Sequence, residues 1–231
     1  MSANPVVIAI DGPSASGKSS TAQWVAERLG FKHADSGAIY RAATAARLRA
    51  GGAKDAAKWT EAEVLDAAKK RVRIVAGERS FTPEIDGKPA EDELRGADVT
   101  SCVSAVARME GVRQWVNEQM RSVAARASIV VDGRDMGTAV FPDAAVKIWL
   151  VADPWERARR RLVQTLKRAP TDEEIAEETD RLVHRDAKDA KQSAQAPDAV
   201  LLDTTYLTQE EQVDRIVALA RTVATRDAAS G

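Results

Sequence analysis

Apolar residues along this chain follow two rhythms, and the switches between them predict its elements. Residues 6–10, 128–132, 146–151 and 199–203 are short apolar runs with the length and β-branching of buried parallel strands. Residues 31–35 form a weaker fifth candidate. Between these runs the apolar positions recur at helical spacing. Residues 19–29 place Ala22, Val25, Ala26 and Leu29 on one side and stop at Gly30. An Ala-rich helix over 38–50 follows, opened by Ser36 and Gly37 as a cap and closed by Gly51-Gly52. Thr60 caps a charged helix over 60–70, and further helices are expected over 98–107 and 111–126. Asp153-Pro154 and Thr171 open two more, and Thr208 caps a closing one, with a frayed tail at 226–231. From Arg71 to Arg95 the rhythm becomes period two, with turns at Asp86-Gly87 and Lys88-Pro89, which predicts small antiparallel strands in an inserted subdomain.

Strands alternating with helices predict an α/β fold with a five-stranded parallel sheet covered on both faces. Right-handed crossovers then bring the loops after Ile10, Asp35, Asp132, Val151 and Asp203 to one sheet edge, where such folds bind ligands. A chain of 231 residues can bury this core as one domain. The net charge of -1 argues against a nucleic acid polymer or an anionic membrane as the main partner. The single cysteine, Cys102, excludes an intramolecular disulfide and a thiolate metal cluster. The opening five residues are too short and polar to lead a secretory segment, so a cytoplasmic location is expected.

The first strand runs into Gly12-Pro13-Ser14-Ala15-Ser16-Gly17-Lys18-Ser19-Ser20, which satisfies G-x-x-x-x-G-K-[ST] in full. The glycines let the backbone curl its N–H groups around phosphate oxygens, and Lys18 adds a point charge. A plain Gly/Ser turn explains the glycines but not the lysine and hydroxyl at this spacing. Such a loop serves a small-molecule kinase, a guanine-nucleotide switch or a nucleotide-gated protein. The switch needs an Asn-Lys-x-Asp base reader, and the chain has no Asn-Lys pair. A kinase must instead screen two anions, with arginines converging from several elements. Arg41, Arg134 and the trio Arg157, Arg160 and Arg161, which share one helical face, are placed to do so.

AIDGPSASGKSS, DSGAIYR, DGRDMGTAVFPDA and the late RDxxD followed by LLDTT resemble bacterial cytidylate kinases over nearly the whole chain. The resemblance implies a single P-loop kinase domain of three layers over 1–231. It would carry a partly β monophosphate-binding insert at about 60–107 and a helical lid at about 154–192. It implies transfer of the ATP γ-phosphate to CMP or dCMP with Mg2+, by a monomer. The alternatives are a P-loop kinase for another small acceptor, or a nucleotide-binding regulator. By resemblance, Gly12 to Ser20 hold the donor phosphates, and Arg41 and Arg134 grip the acceptor phosphate beside Ser36. Ser104, Arg113 and Asp135 read cytosine, Arg185 and Asp189 hold the sugar, and Arg157, Arg160 and Arg161 lie in the lid. Ser19, where relatives more often carry glycine, fits the strict phosphate-loop pattern and can reach magnesium directly, with Asp132 acting through water; a plain hydroxyl at a helix N-terminus is the alternative reading. A second departure is Gln192, which stands where an arginine is expected. Lys188 or Lys191 is the available substitute, and neither reproduces a guanidinium fork.

Overall fold

A computed structural model describes residues 5–51 and 53–230 of the protein. Gly52, half of the expected Gly51-Gly52 stop, therefore lies outside the described residues, as does the end of the expected frayed tail, residue 231. The chain divides into two compact units, one built from Lys32–Ile129 and the other from Val6–Phe31 together with the chain from Val130 onward.

The second unit contains strands β1 (Val7–Asp11), β6 (Ile129–Gly133, from Val130), β7 (Val146–Val151) and β8 (Val200–Asp203), in the order β6-β1-β7-β8. β1 runs parallel to β7 with Ile8 opposite Val146 and Ile10 opposite Ile148, and β7 runs parallel to β8. Helices α1 (Lys18–Leu29) and α9 (Gln209–Ser230) pack on these strands. Ile8, Ile10, Val25, Val130, Ile148, Leu150, Val213 and Ile216 make one core. β1 is central and buried because its sequence offers no polar side chain until Asp11. Gly30 ends α1 as the spacing predicts, at a left-handed φ of 69°. Helices α7 (Pro154–Leu166) and α8 (Asp172–Asp189) close on a smaller cluster of Ala158, Ile175 and Leu182. Asp153 caps α7 by accepting from the Trp155 and Glu156 amides, while Thr171 and Glu174 form a reciprocal capping box on α8. α9 runs on to Ser230, past the point where the sequence predicts fraying.

The first unit holds β2 (Lys32–Asp35), β3 (Val72–Ala76), β4 (Ser80–Ile85) and β5 (Lys88–Pro89), with helices α2 (Ser36–Arg49), α3 (Glu61–Arg71), α4 (Glu91–Arg95), α5 (Ala97–Val106) and α6 (Glu110–Ala124). β3 pairs antiparallel with β4, as the period-two pattern predicts. The described residues thus carry eight strands, which corrects the expected five. The reason is β4: besides its hairpin partner it pairs in parallel with β2, so the small strands extend a sheet instead of standing apart. Asp35, not Ser36 or Gly37, caps α2, accepting from the Ala38 amide at 3.2 Å. No helix among the described residues is long and apolar enough to cross a membrane.

Candidate active site

The phosphate loop leaves β1 through Gly12, whose φ of 151° and surroundings both demand glycine. A Cβ there would stand 2.1 Å from the Leu150 carbonyl oxygen of the neighbouring strand. Ala15 then takes a left-handed φ of 58°, unusual for a residue with a Cβ, and Gly17 one of 91°. Gly17 opens α1 with no side-chain cap and no acidic residue in the first turn. The amides of that first turn and the positive end of the helix therefore face the loop. The Lys18 ammonium arches back and donates to the Pro13 carbonyl at 2.6 Å.

Ser19 and Asp132, far apart in sequence, meet here: the Ser19 hydroxyl donates to Asp132 Oδ2 at 2.6 Å. Asp132 lies at the carboxyl end of β6 and is buried, while Ser19 is exposed. One hydroxyl and one carboxylate are hard oxygen donors of the kind magnesium accepts. No group of three or more acidic, His or Cys side chains that could hold a metal occurs among the described residues. Two such oxygens suit an ion that draws its other ligands from phosphate and water, as Mg2+ does.

Asp11, immediately before Gly12, anchors the second functional loop. Its carboxylate accepts the Met136 amide at 2.9 Å and the Gly137 amide at 2.7 Å. These amides open a short π-helical turn, Met136–Val140, whose first residues follow directly on Arg134 and Asp135. Burial is the largest influence on Asp11 and pushes its pKa from near 3.8 up to about 6, against the two amide bonds that lower it. A carboxyl that binds its proton more tightly folded than unfolded favours the fold at low pH. That contribution is lost as pH rises from about 4 through about 6. Urea titrations should therefore show the stability of the native protein, relative to Asp11→Asn, falling by about 2 kcal/mol between pH 4 and pH 7. A pH-independent difference would contradict this assignment.

Arg134 lies 3.0 Å from Asp189 Oδ2 and 3.9 Å from Asp186 Oδ1, and Arg185 lies 3.8 Å from Asp189. The RDxxD segment of α8 thus meets the loop after β6, which brings together Arg134, Arg185 and Asp189. The arginines of α7 separate despite their common helical face. Arg157 turns inward and is buried, donating to the Ser14 and Ala152 carbonyls and to Asp186. Arg160 donates to the Thr204 and Thr205 carbonyls at 2.6 and 2.9 Å. Arg161, more exposed, pairs with Glu178 at 2.9 Å. Gln192 closes a 3-10 turn over Ala190–Gln192, and the Lys191 side chain lies outside the described residues.

The remaining expected residues belong to the first unit. Ser36 is the first residue of α2 and is buried. Arg41 donates to the Leu94 carbonyl and to the Thr100 hydroxyl, both at 3.0 Å, which aims its guanidinium toward α4 and α5. Ser104 is half-buried on α5, and Arg113 on α6 donates to the Ala107 carbonyl at 3.3 Å. Sequence reasoning missed Asp11 and Asp186 as structural partners of the loops. For Asp11 the signal was available, since a charged residue ending an apolar strand must find buried donors.

A loop that cradles phosphates, flanked by guanidinium groups and an oxygen pair suited to magnesium, serves to move a phosphoryl group between anions. The α/β fold and this loop place the chain among the P-loop kinases. The family model described as cytidylate kinase matches residues 8–222. A cytidylate kinase of Thermus thermophilus is 42% identical over 215 residues, covering 93% of this chain and 98% of its own. One from Chlorobaculum tepidum is 37% identical over 228 residues, with 95% and 94% covered. One from Nocardia farcinica is 40% identical over 219 residues, with 92% of each chain covered. The chain belongs to the cytidylate kinase family.

Proposed function

We propose that the protein transfers the γ-phosphate of ATP to CMP or dCMP, releasing CDP or dCDP, as a cytoplasmic monomer. One observation carries this beyond a generic kinase. Asp11, the last residue of the strand that feeds the phosphate loop, holds by two hydrogen bonds the turn that follows Arg134 and Asp135. Arg134, assigned to the acceptor phosphate, and Asp135, assigned to cytosine, are thereby tethered to the base of the donor loop.

The backbone of Gly12 to Ser20 surrounds the donor phosphates, and Lys18 leaves Pro13 to follow the transferring group. Ser19 would hold Mg2+ directly and Asp132 would hold it through water, and the ion would neutralise charge on the donor phosphates. Arg41 and Arg134 grip the acceptor phosphate beside Ser36. Asp135 accepts from the cytosine amino group while Ser104 and Arg113 satisfy its acceptors. Arg185 and Asp189 hold the sugar. Arg160 and Arg161, with Arg157 beneath the loop, add the positive charge that screens the donor. Positioning and charge screening carry the chemistry, and no side chain need act as a strong base.

Initial rates with CMP, dCMP, UMP and AMP as acceptors test this directly. CMP or dCMP should exceed UMP in kcat/KM by at least about 100-fold, the penalty for facing Asp135 with a lone pair, and the bulkier purine of AMP should also make a poor acceptor. Equal rates with all acceptors would point to a kinase of another specificity. ATP hydrolysis indifferent to every monophosphate would point to a nucleotide-binding regulator.

A further inference from the structure

Both backbone polar groups of Ser14, in the middle of the phosphate loop, are taken by one ion pair from outside the loop. The Ser14 amide donates to Asp186 Oδ1 at 3.1 Å, and the Ser14 carbonyl accepts from Arg157 Nη1 at 2.9 Å. The same Nη1 lies 2.5 Å from Asp186 Oδ2, which closes a ring of three partners. Arg157 and Ser14 are both buried, at 4% and 7% exposure, so water competes little for these bonds. The next residue, Ala15, holds the left-handed φ of 58° and packs against the apolar cluster joining α7 to α8. A strained backbone of this kind persists only where its surroundings over-determine it.

We infer that the Arg157–Asp186 pair is a positioning clamp that keeps the phosphate loop in its binding shape, so that Asp186 sets affinity for the donor nucleotide without itself touching the reaction. The clamp fixes the Ser14 peptide from both sides, and the α7–α8 contact fixes Ala15. Two successive loop residues are thereby registered to the helices expected to form the lid. Asp186 is suited to this because one carboxylate can accept from the amide and the guanidinium together. Arg134, whose closer partner is Asp189, lies 3.9 Å from Asp186 and is not part of the ring. The opposite role, a carboxylate standing in for phosphate and competing with it, predicts the opposite sign.

The inference rests on the proposed kinase activity, and steady-state kinetics with ATP and CMP varied separately distinguishes the two. In Asp186→Ala the KM for ATP should rise about tenfold, the loss expected for a partly buried charge-assisted hydrogen bond. The KM for CMP should stay within about twofold, a split that general loosening of the fold would not produce. Asp186→Asn, which keeps one oxygen acceptor, should fall between Asp186→Ala and the native enzyme. An unchanged or lowered KM for ATP, or equal increases for ATP and CMP, overturns the clamp. If Asp186→Ala fails to fold, calorimetric titration of Asp186→Asn with ATP replaces it. There a rise in Kd of about threefold or more supports the clamp, and an unchanged Kd overturns it. Native protein that binds ATP but phosphorylates no CMP would refute the activity, while the ATP affinities still judge the clamp.

Discussion

Lys18→Ala lowers kcat by roughly 1000-fold while circular dichroism and the thermal midpoint stay close to those of the native protein. The magnitude is that of removing a preorganised charge aimed at a developing anion in a water-poor site. The structural cost is small because the Lys18 ammonium bonds within its own loop, to the Pro13 carbonyl, a contact worth about 1 kcal/mol. Gly12 and Gly17 remain in place, so the loop keeps its curl. Coupled-assay kinetics together with a melting curve check both halves. A variant retaining more than a tenth of the native rate would remove the lysine from the phosphoryl-transfer site.

Asp135→Asn is expected to collapse the preference for CMP over UMP by about 100-fold, with CMP turnover falling and UMP turnover rising. A carboxylate only accepts, which suits the amino group of cytosine and repels the O4 of uracil. An asparagine can turn its amide either way and so serves both bases. Asp135 is 6% exposed, so little water is available to soften the mismatch. Its backbone carbonyl accepts the Ala139 amide at 2.9 Å, a bond the substitution leaves intact. The ratio of kcat/KM for CMP and UMP, measured in both proteins, decides the matter. An unchanged ratio would move base selection elsewhere.

Much of this architecture was legible in the residues because the signals were local. Gly30, Thr60, Asp153-Pro154 and Thr171 mark helix ends through bonds that span a few residues, and each is found where expected. β7 occupies the predicted 146–151 because VKIWLV is apolar enough to be buried whatever its neighbours. The phosphate loop was legible for the same reason, its chemistry being written in nine consecutive residues. Contacts between distant segments were not. The parallel pairing of β2 with β4 joins KHAD to a hairpin strand, and neither sequence carries a mark of the other. Asp186 reaches Ser14 across 172 residues, and helical periodicity says only which face it occupies. The α7 arginines show the limit of periodicity. Arg157, Arg160 and Arg161 do share a face, yet long side chains on one face reach the Ser14 carbonyl, the Thr204 carbonyl and Glu178 respectively. Ser36 and Gly37 are the expected cap, but Asp35, one residue earlier in the chain, takes that role because its carboxylate reaches the Ala38 amide.

The most direct test follows the phosphoryl group itself. With ATP labelled in its γ-phosphate, CMP and Mg2+, the account predicts that the label appears in the β-phosphate of CDP, at a rate that depends on Lys18. Label released as inorganic phosphate, with CMP recovered unchanged, would contradict it.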